Sequence, residues 1–249
     1  MHSTLPFTTL LNRIFAGPVT ALLHALGLHP HNPAAPIPDF VAMQILVVGL
    51  LVMVFAIVRA NLSVENPSGL QHAMEGLYGF ISDMSSEIVG RGHERFDSFL
   101  TALGLFILSA NLIGMIPSFE SPTAVPSVPL GCALVAWFYY HTQGFRQNGL
   151  GYLKHFMGPV LGLSWLLFPI ELISHLARIM SLTVRLFANI FAGDMLILAF
   201  FSLIPIGVPI VFLLLHLGVS LIQTYIFVLL AAVYLSEAAA IHDEHEPAH

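Results

Sequence analysis

An all-α integral membrane protein is the fold class that this 249-residue sequence predicts. Hydrophobic residues make up 57% of the chain and charged residues only 9%, where a soluble domain of this size carries about 25% charged residues. Apolar runs of eighteen residues and more recur along the chain, long enough to cross a hydrocarbon core of ~30 Å at ~1.5 Å per helical residue. One further run, Leu70–Val89, carries its charges on one side only. The expected architecture is five to six hydrophobic helices, the last two long, plus an amphipathic surface helix.

Taken in order, residues 1–40 form an outer-side segment in which Leu5–Leu28 reads as a short surface or re-entrant helix. It lacks the basic start of a cleaved signal peptide, because Arg13 falls within its apolar residues. Residues 41–97 hold the first span, Val41–Val58, closed by Arg59, then the polar break Asn61–Pro67 and the amphipathic helix. In that helix Leu70, Met74, Leu77, Phe80, Ile81, Met84 and Ile88 alternate with Glu75, Asp83 and Glu87, a pattern for lying on a membrane or a partner. Residues 98–155 hold a hairpin: Phe99–Ile116, the Pro-rich loop Ser118–Pro129, and Leu130–Tyr140, followed by a loop with Arg146 and Lys154. Residues 156–240 hold a second hairpin, Phe156–Leu203 and Ile206–Leu235, and a break near Pro169 would make a sixth crossing. Residues 241–249 read as a disordered, His-rich tail.

Arg59, Arg91, Arg95, Arg146 and Lys154 all fall in the loops after the first and third spans, and the loop after the second has no Lys or Arg. The positive-inside rule then places those two loops in the cytoplasm, the N-terminus outside and, with five spans, the C-terminus in the cytoplasm. A net charge of -6 with eight basic residues argues against nucleic-acid binding. Cys132 is the only cysteine, which excludes a disulfide framework and a thiolate metal site.

Arg185 is the most telling residue. A guanidinium at membrane depth costs at least ~2.5–3.5 kcal/mol and cannot escape by losing its proton, so a chain that keeps one needs it to face a carboxylate, an ion path or an anion. Glu171, Ser174, Arg178, Ser181, Arg185 and Asn189 follow one another at 3, 4, 3, 4 and 4 residues, which places all six on one helix face. His175 borders this stripe, and Asp194, nine residues past Arg185, points half a turn away. On the last span His216, Ser220, Gln223 and Tyr234 share a side, so a polar path between the two helices is plausible. Plainer roles compete. Ser174, Ser181 and Ser220 can bond their own helix backbone, His216 can be a packed polar residue, Arg178 can snorkel, and Glu171 and Arg178 can neutralise one another.

These residues resemble subunit a of F-type ATP synthases. Arg185-Leu-Phe-Ala-Asn189-Ile-Phe-Ala-Gly193-Asp194 is similar to the family's Arg-Leu-Phe-Gly-Asn…Ala-Gly-Glu signature. Asn111-Leu-Ile-Gly114-Met-Ile-Pro117, Gly149-Leu-Gly-Tyr-Leu-Lys154-His155-Phe156, Phe168-Pro-Ile-Glu171-Leu-Ile-Ser174, Gln223-Thr-Tyr-Ile-Phe227 and Tyr234-Leu235 match further family segments in order. The motifs run from about residue 99 to 236; before residue 90 only the architecture agrees.

The resemblance implies a proton-conducting stator subunit in a bacterial inner membrane, packed against a ring of c subunits that each carry a membrane carboxylate. The subunit b stalk would hold it, and it would meet the catalytic head only indirectly. Two offset half-channels would bring protons to the ring and release them, with Arg185 keeping each passing carboxylate ionised and blocking a direct leak. Asn189, Gln223, Glu171, Asp194, His216 and Ser181 match positions along those paths. The last two helices would be strongly tilted along the ring. This sequence departs from the family pattern in four places: Asp194 where Glu is usual, Ala188 for a common Gly, no proline in Ala177-Arg178-Ile179, and Val125-Pro126-Ser127 where an Asp and an Asn often follow Ala124.

Three other readings have weaker support. A self-contained channel or transporter would usually show an inverted repeat, and none is visible; a redox-driven pump needs buried Lys and Glu relays, whereas the one lysine, Lys154, is in a loop; a scaffold leaves Arg185 unexplained. No metal-ligand spacing, nucleotide loop or nucleophile motif is present, so no cofactor or metal is expected and ATP chemistry falls to partner subunits.

Overall fold

The structure, a computed structural model, describes residues 5–25, 27, 32, 35–116, 119–149, 151–152, 164–203 and 208–240. Lys154, the start of the second hairpin at Phe156 and the His-rich tail lie outside the described residues. The elements are α1 (Pro6–Ala25), α2 (Asp39–Ala60), α3 (Gly69–Val89), α4 (Glu94–Ile113), a 3₁₀ turn (Pro122–Ala124), α5 (Ser127–Asn148), α6 (Ser164–Leu203) and α7 (Val208–Ala240). Among the described residues there is no strand.

Four of these helices, α2, α4, α6 and α7, are long and apolar enough to cross a membrane. The fifth long helix, α5, packs against α6, α7 and α4's flanking turn; Tyr139, Tyr140, His141, Thr142, Gln143 and Arg146 make its second half too polar to rank with them. It starts at Ser127, so the loop expected to reach Pro129 ends earlier. Pro129 then sits in the first turn, where its missing N–H breaks no helix bond. Likewise α6 runs unbroken through Pro169, so residues 164–203 are one helix and the alternative break there does not form.

Length dictates how the last two helices sit. The 40 residues of α6 extend ~60 Å, about twice the hydrocarbon thickness. An upright pose would push apolar turns into water, whereas a strong inclination keeps Leu172, Met180, Val184 and Leu198, all exposed on this chain, within the apolar layer. Toward the bundle α6 buries Ile179, Leu182, Leu186 and Ile190, spaced 3, 4 and 4. These meet Phe227, Val228, Ala231, Ala232 and Leu235 of α7, Cys132, Ala133 and Ala136 of α5, and Phe96, Leu100 and Ile107 of α4 in one core. The alanines let helix backbones approach closely, which is how helices associate where lipid removes the hydrophobic drive.

The amphipathic α3 adds its apolar side to this core. Ile81 and Met84 are buried against α4 and α7, while Glu75, Asp83 and Glu87 stay exposed. Ser68 caps its start by accepting from Gln71 N at 3.2 Å, and Gly90 ends it at φ 77°, a conformation that a side chain would strain. At the other end of the chain α1 docks on the entry to α2. The Asn12 amide donates to Ile37 O and accepts from Ile37 N, both at 3.0 Å.

A buried polar bracket joins the end of α4, the 3₁₀ turn and α7. Thr123 Oγ1 donates to Asn111 Oδ1 at 2.6 Å, Asn111 Nδ2 donates to Thr224 Oγ1 at 3.4 Å, and Ser121 Oγ donates to Ala110 O at 3.0 Å. Asn111 is fully buried, so Asn111→Ala opens a small void and removes one hydrogen bond from each of two hydroxyls, leaving Thr123 with Ser121 Oγ and Thr224 with Ser220 O, both at 2.8 Å. A stability loss of about 1–3 kcal/mol is expected, readable as an earlier thermal dissociation of the purified complex; an unchanged midpoint would deny the bracket any weight.

Candidate functional site

The six-residue stripe forms on one face of α6 as its spacing predicts, but it borders the packed seam instead of lying inside it. Ser181 and Asn189 are exposed, and Glu171, Ser174, Arg178 and Arg185 are partly so. The polar side of α7 is different: His216, Ser220 and Gln223 are 2%, 0% and 2% exposed, facing into the bundle. One helix therefore presents an open polar edge and its neighbour a closed one.

Arg185 Nη2 donates to Ser181 Oγ at 3.2 Å, one turn back on the same helix. Among the described residues no carboxylate lies within ion-pair reach of it. Its charge is held at the edge of the bundle with nothing among the described residues to neutralise it. One turn on, Asn189 Nδ2 donates to Gln223 Oε1 at 2.7 Å and ties the stripe to α7. Gln223 Nε2, Ser220 Oγ and both ring nitrogens of His216 are buried without a hydrogen-bond partner among the described residues. Buried donors and acceptors normally find partners, so this row along α7 is suited to exchanging hydrogen bonds with something that passes along it.

Asp194 does face another surface, as its half-turn offset predicts. Its Oδ1 lies 3.6 Å from His216 Nε2 across the α6–α7 crossing. Gly193 makes that approach possible, since a Cβ there would stand 2.0 Å from His216 Nδ1. At the opposite end of α6, Glu171 Oε1 lies 3.4 Å from His175 Nε2. The two carboxylate–imidazole pairs are twenty-three residues apart on one helix, ~35 Å at helical rise, with Arg185 between them.

Some plainer roles hold. Ser174 Oγ donates to Ile170 O at 3.0 Å within its own helix. Arg178 does not neutralise Glu171: its Nη1 pairs with Glu237 on α7, and its guanidinium lies 4.7 Å from the centre of the Tyr234 ring. Sequence reasoning missed Glu237 because the apolar run ends at Leu235 and the acid two residues later reads as tail. The signal was Arg178 itself, which needed an acid from somewhere. Sequence reasoning also missed Tyr140 and Thr224 and placed His175 only at the border of the stripe, since the partner of each lies on another helix.

The match to the ATP synthase A chain family model covers residues 41–236 and therefore every candidate site residue. The chain belongs to this family. A protein described as ATP synthase subunit a from Koribacter versatilis is 58% identical over 241 residues, 96% of this chain and 98% of that one. The likeness thus extends into the first 40 residues, ahead of the motifs. Relatives with the same description from Solibacter usitatus and Aquifex aeolicus are 47% and 42% identical. They cover 95% and 72% of this chain and 100% and 87% of their own lengths. The family region begins inside α2 and stops at Ser236, one residue short of the Glu237 that holds Arg178.

Proposed function

We propose that this chain is the proton-conducting stator subunit of an F-type ATP synthase membrane sector, with the open edge of α6 turned toward the carboxylate-bearing c-ring. The observation that carries the reading is the Arg185 guanidinium, without an ion pair among the described residues, at the bundle edge between two carboxylate–imidazole pairs ~35 Å apart along one helix. A fixed cation there favours the ionised form of a passing carboxylate, so a ring site gives up its proton as it approaches. Asp194 and His216, with Gln223 and Asn189 along the seam, line one half-channel; Glu171 lies on the other. With Arg185 set between the two paths, protons pass by riding the ring. Each releases ~2.3 kcal/mol per 100 mV on crossing the full potential, and that drives rotation.

The loop charges orient the chain with its N-terminus outside and the C-terminal end of α7 in the cytoplasm of a bacterial cell, in the inner membrane. Glu171 then serves the cytoplasmic side and Asp194 the outer side. The lipid-exposed surface away from the ring is left for the peripheral b stalk, through which the catalytic head is held.

The direct test of the ring-facing edge is disulfide cross-linking in assembled membranes. The native Cys132 is buried and should stay silent. With a second cysteine beside the ring carboxylate, Ser181→Cys should cross-link on mild oxidation. Leu176→Cys, exposed half a turn from Arg185, should not. Cross-linking at Leu176 in preference to Ser181 overturns the assignment of faces.

A further inference from the structure

Each end of α6 carries a carboxylate beside an imidazole, and only the Asp194–His216 pair is accounted for by the path described above. The other imidazole, His175, is buried on the α5 side of α6 and joins two groups at once. Its Nε2 faces Glu171 Oε1 at 3.4 Å, and its Nδ1 lies 2.9 Å from the Tyr140 hydroxyl of α5.

We propose that Glu171 and His175 act as one proton-exchanging unit on the cytoplasmic side, which rests on the reading of Glu171 as a half-channel residue. In the tautomer that carries its proton on Nδ1, the Tyr140 oxygen accepts from Nδ1–H and Nε2 keeps its lone pair toward the carboxyl group. The O–H bond at Oε1 breaks, an N–H bond forms at Nε2, and the pair becomes carboxylate and imidazolium; reversal restores the acid. A cavity of about 20 Å³ lined by Tyr140, Glu171 and His175 adjoins the pair, room for one bridging water at this separation. The unit can therefore hold its proton in either of two places while Glu171 stays open to the channel.

The surroundings keep that proton movable. Arg178 is the nearest cation along α6 and would lock Glu171 as a carboxylate if it engaged it. Glu237 and the Tyr234 ring hold Arg178 from α7 instead. The second imidazole, His141 of α5, has its ring 4.7 Å from that of His175 and is itself held by Tyr152 Oη at 2.9 Å. Two imidazolium charges at this separation would repel, so the cluster takes up one proton at a time.

The test uses the whole complex in inverted vesicles, with ATP-driven pumping and, after removal of the catalytic head, passive proton flux read across pH 5.5–8.5. His175→Gln keeps a polar partner for Tyr140 but carries no proton. It should lower flux about tenfold, less than the full effect of a general acid–base group, because Glu171 is 33% exposed and can exchange without its partner. The pH dependence should also flatten. In His175→Ala, added imidazole should restore part of the flux. Glu171→Gln is run beside them. If it lowers flux while both His175 variants match wild type in rate and pH profile, the shared unit is overturned and Glu171 works alone. A drop in the His175 variants that is equal at every pH and indifferent to imidazole marks a packing role and also overturns it. Unchanged flux in Glu171→Gln removes the underlying half-channel reading itself.

Discussion

Arg185→Ala is expected to abolish ATP-driven proton pumping in inverted vesicles while the complex still assembles and hydrolyses ATP. Once the catalytic head is removed, the same membranes should leak protons more than wild type does. The argument is electrostatic. A unit charge ~4 Å from a carboxylate contributes about 4 kcal/mol at an effective dielectric of 20, roughly a thousand-fold in the ratio of ionised to protonated ring sites. Without it a ring carboxylate reaching the boundary keeps its proton and carries it across instead of surrendering it. Assembly should survive because Arg185 makes one hydrogen bond, to Ser181, and no ion pair among the described residues. Arg178→Ala should behave in the opposite way. It breaks the Glu237 pair and the Tyr234 contact that close the α6–α7 hairpin, so it costs assembly before it costs coupling. Tightly coupled pumping in assembled Arg185→Ala vesicles would return this residue to a structural role.

Much of this arrangement could be read along the chain, for a physical reason. In lipid each helix satisfies its own backbone, so apolar run length and helical period carry nearly all the information about the elements. Val41–Val58 becomes α2 and Leu70–Val89 becomes α3 with little change, and the 3-4 spacing from Glu171 to Asn189 does place six polar groups on one face. The half-turn offset of Asp194 likewise leads to its meeting with His216. What the spacing could not supply was the rotation of one helix against another. Whether Arg178 would meet Glu171 or an acid on α7 depends on how far α7 runs past Leu235, and polarity at Ser236 and Glu237 hid its last turn. The Glu171–His175–Tyr140 chain depends on α5 packing beside α6, which no periodicity in either helix encodes. Asn111 and Thr224 are 113 positions apart and meet because α4 packs along α7.

Gly193→Ala should be among the most damaging single-methyl changes in the chain, and removing His216 should relieve it. The added Cβ would lie 2.0 Å from His216 Nδ1 and 2.6 Å from Cε1, far inside contact distance. The ring cannot swing clear, because His216 is 2% exposed within the α6–α7 crossing. The helices must part or the imidazole must leave Asp194. Overpacking of this kind costs typically about 1–3 kcal/mol, enough to reduce assembled complex and to separate the Asp194–His216 pair. His216→Ala alone removes the ring and leaves a small void, a milder stability cost with its own loss of proton flux. The double variant Gly193→Ala/His216→Ala should therefore assemble better than Gly193→Ala by itself, a negative interaction energy where independent sites would add. Thermal dissociation of the complex reads stability and stripped-sector conductance reads the path, so the two contributions separate. Additive losses in the double variant would mean that Gly193 meets something other than His216. Non-additive recovery of assembly without recovery of flux is the expected result, since the glycine admits the imidazole and the proposed proton path needs it.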